Sequence, residues 1–578
     1  MTGSVSNALS GNGAGLSADG ENAPAQVALR GADEIMRLSR MGSFFPTRLS
    51  FLRSLLRKLA DDGVRVQRTE QKWDDNGYGH CVLEVVLDGH AYSLIAYTAP
   101  LDASQRTDRV IAEAWDACFV LFDGRPTSEE IAELRDHTLV QEAGRYHNRV
   151  LILSRANKSM RLFHHVVERL AEGLQPDAEM IGRIGYLMRT TAVYGNGKFG
   201  LADRTDIVER PTLSQPFRLE MLTVFLIREF TIDLVNHVAR AKGQDNAAQL
   251  SPSVARRLGI GNSTGLGMAP FLISHPILIN NWMLVRETAI ARVRACENVD
   301  AERLDRARSL MKQIARHLEE WNVDDEPEQE RIESLRREWA GFADQAHAEL
   351  ASPFAWNRLI EISRSGSEDL QELVVSLVLE PNGDLVDGLC ECMEQSHDHA
   401  LDPTLTIKSL RAMIKEHYQW ALDLDLSSSS ARERVWYVSE EKLEPRFGDA
   451  VVTDQYHQSM PHDIAHKVQA LWQDVENLDD NALIAELLLK HPVHRDMVHR
   501  VQMIDHHPYG EVRDNLVDGK VRPIDLLRCK LSFFGASKFD PLSDRWTRIT
   551  LYQGAPMADE LTVENTDHVF LPALGPSV

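Results

Sequence analysis

Two glycine-rich segments carry the residue types most able to do chemistry. The first, Tyr194-Gly195-Asn196-Gly197-Lys198-Phe199-Gly200, sets three glycines within six residues. Glycine lets the backbone bend so that N–H groups converge on an anion. A lysine in such a loop adds a mobile positive charge or, if desolvated, a general base. Lys198 is therefore a candidate catalytic residue, with Gly195, Asn196, Gly197 and the following Arg204 as candidate substrate contacts. A turn bearing an exposed lysine is the plain alternative. The second segment, 259–270, holds Gly259, Gly261, Gly265 and Gly267 around Asn262, Ser263 and Thr264, and leads to His275-Pro276 and Arg286. Amides and hydroxyls here suit a carboxylate or phosphate, which makes Asn262, Ser263, Thr264 and Arg286 candidate binding residues and His275 a candidate acid or base. The segment contains G-x-G, but the preceding SPSVARRL reads as helix, so the strand required before a dinucleotide fingerprint is missing. A structural loop or hinge explains the same composition.

Further candidates lie on helices. Within FRLEMLTVFLIREFTIDLVNHVAR, residues 217–240, Glu229, Asp233 and His237 recur at four-residue steps and form one stripe, either a supporting shell for a site or the solvent face of a core helix. Residues 457 to 507 contain eight of the 22 histidines, namely His457, His462, His466, His491, His494, His499, His506 and His507. His462 with His466 and His491 with His494 have the i,i+4 and i,i+3 spacings at which two imidazoles can share a cation. No HExxH and no carboxylate in register accompanies them, so surface histidines are the simpler account and no metal ligand is assigned. In Asp505-His506-His507-Pro508-Tyr509-Gly510 the proline and glycine fix a loop that could present His507, a third catalytic candidate.

Other chemistries lack their signatures. GxxxxGK[ST], GxSxG, the kinase set and HExxH are all missing, which withdraws sequence support from P-loop, α/β-hydrolase, kinase and zincin readings. The hydroxyl-bearing glycine-rich segment 259–281, set in a helical body, resembles the fumarase and aspartase group of lyases. The chain lacks that group's Met-Pro-x-Lys run, and no residue is carried over. The expectation is a metabolic enzyme acting on a small anionic metabolite, a carboxylate or phosphate, by lyase or isomerase chemistry, with Lys198 and His275 handling protons and no cofactor identified. The alternatives are a non-catalytic helical scaffold or regulatory protein-binding module, and a metalloenzyme with histidine ligands.

The elements that must position these residues are mainly helical. Helical spacing runs over 43–63, 158–173, 177–190, 217–241, 276–296, 301–320 and 327–350. CVLEVVL and AYSLIAYT flank Asp88-Gly89-His90 as a β-hairpin, and 118–122 and 149–154 read as further strands. Beyond residue 157 strand signals nearly vanish, apart from 435–439. The expected fold class is mainly α: a multi-helix body with a small N-terminal α/β portion and a minor mixed C-terminal region. The expected division is a disordered leader over 1–26, the α/β portion over 27–156, a helical core over 157–425, a mixed helical region over 426–554 and a trailing arm over 555–578.

At 578 residues the chain exceeds what one hydrophobic core supports. A formal charge of −23 repels phosphate backbones and anionic lipid alike, so neither nucleic acid nor membrane is an expected partner. Six scattered cysteines suit a reducing compartment, and the Cys390-x-Cys392 spacing is not that of zinc knuckles. The first residues lack a signal-peptide pattern and no apolar run of about 18 residues occurs, so a cytoplasmic location is expected. Extended apolar helix faces suggest a homodimer or higher homo-oligomer.

Overall fold

The computed structural model describes residues 28–102, 115–140, 149–195, 213, 215–262, 275–323, 326–391, 393, 399–427, 436–438, 445–447, 461–513, 528, 532–535, 538–541, 547–562, 565–566 and 571. The chain divides into two compact units, each drawn from three separate stretches: 1–45, 266–315 and 333–529 in the first, 46–265, 316–332 and 530–578 in the second. No helix among the described residues is long and apolar enough to cross a membrane.

The second unit is organised by a mixed sheet. Its strands are β1 (Gln67–Trp73), β2 (Gly79–Leu87), β3 (His90–Thr98), β4 (Ala117–Asp123), β5 (Val150–Lys158), β6 (Tyr186–Gly195) and β7 (Gly259–Asn262). A short pair in the first unit, β8 (Trp436–Val438) and β9 (Pro445–Phe447), precedes the last two strands of the sheet, β10 (Lys538–Pro541) and β11 (Thr547–Leu551). The order across the nine strands is β1-β2-β3-β4-β5-β6-β7-β11-β10. Neighbours are antiparallel except β6 and β7, which run parallel with Thr190 beside Asn262. The expected hairpin forms at Asp88-Gly89, where φ values of 48° and 79° give the twist that two antiparallel strands require of a two-residue turn.

The protein is mainly helical, but the sheet is not the small N-terminal portion expected from the sequence. It extends to β7 and recruits β10 and β11 from the far end of the chain. The stretch 177–190, expected to be one helix, is the helix Ala178–Ile184 followed by β6. Gly185 ends that helix in the left-handed region at φ 76°. Tyr186, Leu187 and Met188 are buried in succession, with a register shift between Tyr186 and Met188. A strand buried at consecutive positions loses the alternation that marks a strand in sequence.

Helices lie on both faces of the sheet. The long helix Arg218–Gly243 lies against β2, β3, β5, β6 and β7, flanked by Phe51–Asp61 and Leu162–Ala171. On the opposite face Ile131 and Leu134 of the helix Ser128–Val140 pack with Val82, Ile95, Tyr97, Val120 and Phe122. Phe119, one residue from Val120, instead meets Phe230 of the long helix at 5.3 Å between ring centres.

Arg228, in the middle of that helix and 1% exposed, holds the unit together by hydrogen bonds to backbone. Its Nε donates to Leu258 O at 2.7 Å and Nη1 to Pro556 O at 3.0 Å. Nη2 donates to the carbonyls of Ala255, Arg256 and Ala555 at 3.3, 3.2 and 2.9 Å. Residues 555–560, read from the sequence as part of a trailing arm, are thus clamped, and Arg256 Nε adds a 2.7 Å bond to Glu560.

The first unit buries charge differently. Arg30 donates two 2.7 Å bonds to Glu287 and one of 2.9 Å to Glu372. Glu372 also receives Arg40 at 3.1 Å and Arg286 at 2.5 Å, and the Arg286 guanidinium lies 4.1 Å over the Phe44 ring. Burial alone would raise the Glu372 pKa, but Arg30, Arg286 and Arg40 pull it down to about 2.

Both clusters lead to stability measurements. Arg228→Met strands several buried carbonyls and is expected to lower the free energy of unfolding by about 3 kcal/mol or more in urea titrations. Glu372→Gln removes the carboxylate that Arg30, Arg286 and Arg40 share, leaving Arg30 and Arg286 with Glu287 alone, and is expected to remove about 3–5 kcal/mol at neutral pH. Since the folded-state pKa is depressed, the wild-type contribution is full above the ordinary carboxylate value of 4.5 and fades as pH falls through about 2. Acid titration of the variant should show that dependence diminished.

Candidate functional site

The two glycine-rich segments leave neighbouring strands at different heights, since Asn262 lies beside Thr190, five residues short of Gly195. β6 ends at Gly195 and β7 at Asn262, and because the strands are adjacent and parallel both chains leave the sheet at the same end. Gly195 is the last paired residue of β6, opposite Ile152 of β5, and Asn262 pairs with Ile549 of β11 as well as with Thr190. Thr190 Oγ1 donates to Gly261 O at 3.3 Å, which ties the two stems together. Asn196, Gly197, Lys198, Arg204, Ser263 and Thr264 lie outside the described residues.

Part of the glycine content has a packing cause. A Cβ on Gly259 would stand 2.2 Å from Leu551 O, and one on Gly261 would stand 2.9 Å from the Tyr186 ring. Neither position tolerates a side chain where β7 passes β11 and β6. The G-x-G is therefore strand, not loop, although the helix Pro252–Arg256 precedes it as its sequence indicated.

The stripe on the helix Arg218–Gly243 faces β1 rather than open solvent. Arg68 on β1 donates to Asp233 at 2.6 Å and lies 3.6 Å from Glu229. Glu229 is 3% exposed and accepts the Ala558 N–H at 2.9 Å. Burial pushes its pKa up to about 7, against the opposing pull of that N–H and of Arg228. Burial also raises Asp233, opposed by Arg68. His237 Nε2 pairs with Asp74 O at 2.8 Å, and its ring lies 5.2 Å from Trp73. Glu229 and Asp233 are brought together through Arg68, a residue that sequence spacing did not reveal because it comes from a different strand. The arrangement can hold one proton near neutral pH inside the unit. The nearby thiols of Cys81 and Cys118 are pushed up to about 12 and about 11 by burial, which leaves them unreactive.

The remaining candidates belong to the first unit. His275 is the N-cap of the helix Pro276–Arg294 and is half-buried. Arg286 is three turns further along, roughly 16 Å at 1.5 Å per residue, and is committed to Glu287, Glu372 and Phe44. His507 follows the helix Arg495–His506, with Nδ1 3.0 Å from Met503 O. His506, His499 and His507 surround His399 at 5.1, 5.8 and 6.1 Å between ring centres. His491 and His494 acquire the carboxylate that their spacing lacked: Asp474, from the end of the helix Pro461–Val475, at 3.2 and 2.7 Å.

The raised Glu229 pKa has a measurable sign. The ionised form is disfavoured in the fold, so Glu229 lowers stability fully above about 7 and not at all below its ordinary 4.5. Glu229→Gln keeps an acceptor for Ala558 and is expected to raise the midpoint of thermal unfolding at pH 8 while leaving it unchanged at pH 4. A variant less stable than wild type at pH 8 would contradict this. No protein-family model matches this chain, and comparison with curated proteins and with solved structures gives no match either.

Proposed function

We propose that the chain is an enzyme acting on a small carboxylate- or phosphate-bearing metabolite at the sheet end where β6 and β7 finish. The observation that carries this reading is the parallel pairing of those two strands, the one parallel pair among the described strands of the sheet. Ligands in open sheets collect beyond the carboxyl ends of parallel strands, where chain leaves the sheet with unpaired backbone N–H groups. Both segments continuing from that end are glycine-rich, and between them they offer Asn196, Lys198, Ser263 and Thr264.

Backbone N–H groups of the two segments hold the anion, and Lys198 is the proton-handling group. Desolvated against bound substrate and so uncharged, its amine takes a proton from the carbon beside the carboxylate, and the ammonium that results, with backbone N–H groups, stabilises the charge that develops. This is lyase or isomerase chemistry. Glu229, Asp233 and Arg68 act as packing beneath the sheet rather than as reacting groups.

A thermal-shift titration with inorganic phosphate and with small mono- and dicarboxylates tests the reading. An anion at about a hundred times its dissociation constant adds about 2.7 kcal/mol to the native state, so the melting temperature should rise by several degrees. Lys198→Met should abolish that rise while leaving the circular dichroism unchanged. Equal shifts in wild type and variant, or none with any anion, would overturn the assignment.

A further inference from the structure

The histidines at 491 and 494 sit at a junction whose geometry has a purpose beyond packing. The helix Ile484–Lys490 ends at His491, and the short 3-10 turn Pro492–His494 carries the chain into the helix Arg495–His506. Pro492 fixes the backbone at the turn, His491 N donates to Leu487 O at 2.7 Å, and His494 N donates to His491 O at 3.2 Å. The two imidazoles consequently stand nearly parallel, 6.0 Å apart at 27°. Their backbone is held independently of what the rings bind.

Asp474 reaches them from the last turn of the helix Pro461–Val475. The carbonyl end of a helix carries partial negative charge, so a carboxylate there is unfavourable unless a cation compensates it. That last turn contains no basic residue. One oxygen, Oδ2, instead faces both His494 Nε2 at 2.7 Å and His491 Nδ1 at 3.2 Å. The three donor atoms all lie within 4.8 Å of one another. Donors around a four-coordinate zinc stand ~3.3 Å apart, given bonds of about 2.0–2.1 Å, and the two distances from Asp474 Oδ2 to the imidazole nitrogens, 2.7 and 3.2 Å, fall close to that spacing. His494 is buried and its partners are accessible, which supplies one anchored ligand and an open approach.

We propose that Asp474, His491 and His494 bind one divalent first-row transition-metal ion. Two imidazoles and one carboxylate favour zinc, cobalt, nickel or ferrous iron over the oxygen-seeking calcium and magnesium. With three protein ligands the ion keeps at least one position for water or for a donor atom of a bound molecule, as open rather than purely structural sites do. A second group in the same unit, Glu416, His417 and Asp505, offers only one imidazole and is the poorer ligand set. The proposal does not depend on the anion site assigned to the other unit.

The test uses the full chain, free of any histidine tag and stripped with chelator. Calorimetric titration with zinc alone should give one equivalent bound per chain, and cobalt should produce visible d–d bands from a site of mixed nitrogen and oxygen ligands. His491→Ala removes a half-exposed side chain, so the fold should survive with its metal-free melting temperature unchanged. Affinity should nevertheless fall by at least about tenfold, as for loss of groups that support a metal. His494→Ala should weaken binding further, and if that variant fails to fold the His491→Ala comparison decides. Absence of stoichiometric uptake would overturn the site, and so would undiminished affinity in His491→Ala, which would move binding to Glu416 and His417 or to the histidines around His399.

Discussion

A guanidinium sealed inside the second unit constrains much of what surrounds it. Arg228 is fully desolvated, and burial lowers its pKa to about 10, so it stays charged at neutral pH and must be solvated by the protein itself. Backbone carbonyls do this, from the turn that enters β7 and from the segment that follows β11. The two strands those segments flank are hydrogen-bonded neighbours in the sheet. One side chain in the middle of a helix thereby fixes the approach of two remote pieces of chain, and with them the placement of β7 against β6. Tyr552, held at φ 61° with its hydroxyl bonded to Met221 O at 2.8 Å, secures the same segment from its other side.

The first unit meets the same physical demand with carboxylates. Removing several charges from water is tolerable only when every lone pair and most N–H groups find partners at good geometry. Glu372 and Glu287 meet that condition by drawing Arg30 and Arg40 from the start of the described chain onto the helices Pro276–Arg294 and Glu368–Leu379. Tyr509 adds a bond of 2.6 Å from its hydroxyl to Arg30 O. A guanidinium so engaged is an element of architecture. Arg286, attractive in sequence for its place after a glycine-rich segment and a histidine, is fully buried and paired with Glu287 and Glu372.

Much of the architecture is legible in the sequence. Helices over 217–241, 276–296, 301–320 and 327–350 are present within a few residues of their expected bounds, because long segments with periodic apolar residues leave little choice. The hairpin at Asp88-Gly89 was equally plain, since few residue pairs adopt positive φ twice in succession. β6 was hidden because consecutive residues of it, Tyr186 to Met188, are buried, and β10 and β11 because short strands borrowed across hundreds of residues carry almost no local signal. Of the candidate site, the sequence showed which segments were rich in glycine and histidine but not how those residues divide between packing and binding. Gly259 and Gly261 are explained by close backbone approach to Leu551 and Tyr186, whereas the histidine pair at 491 and 494 gains significance only when Asp474 is seen beside it.

What the sequence determined by itself is the set of local preferences: helix lengths, the turn at residue 88, a mainly helical body, an acidic chain with no long apolar span. These follow from interactions between residues a few positions apart, which a linear reading contains. Only the tertiary structure decided which residues become neighbours, among them the parallel seating of β6 beside β7, the pairing of Arg68 with Glu229 and Asp233, the burial of Arg286, and the meeting of Asp474 with two imidazoles. Those outcomes arise from the solvation of buried charge and from sheet register, both of which join positions tens to hundreds of residues apart.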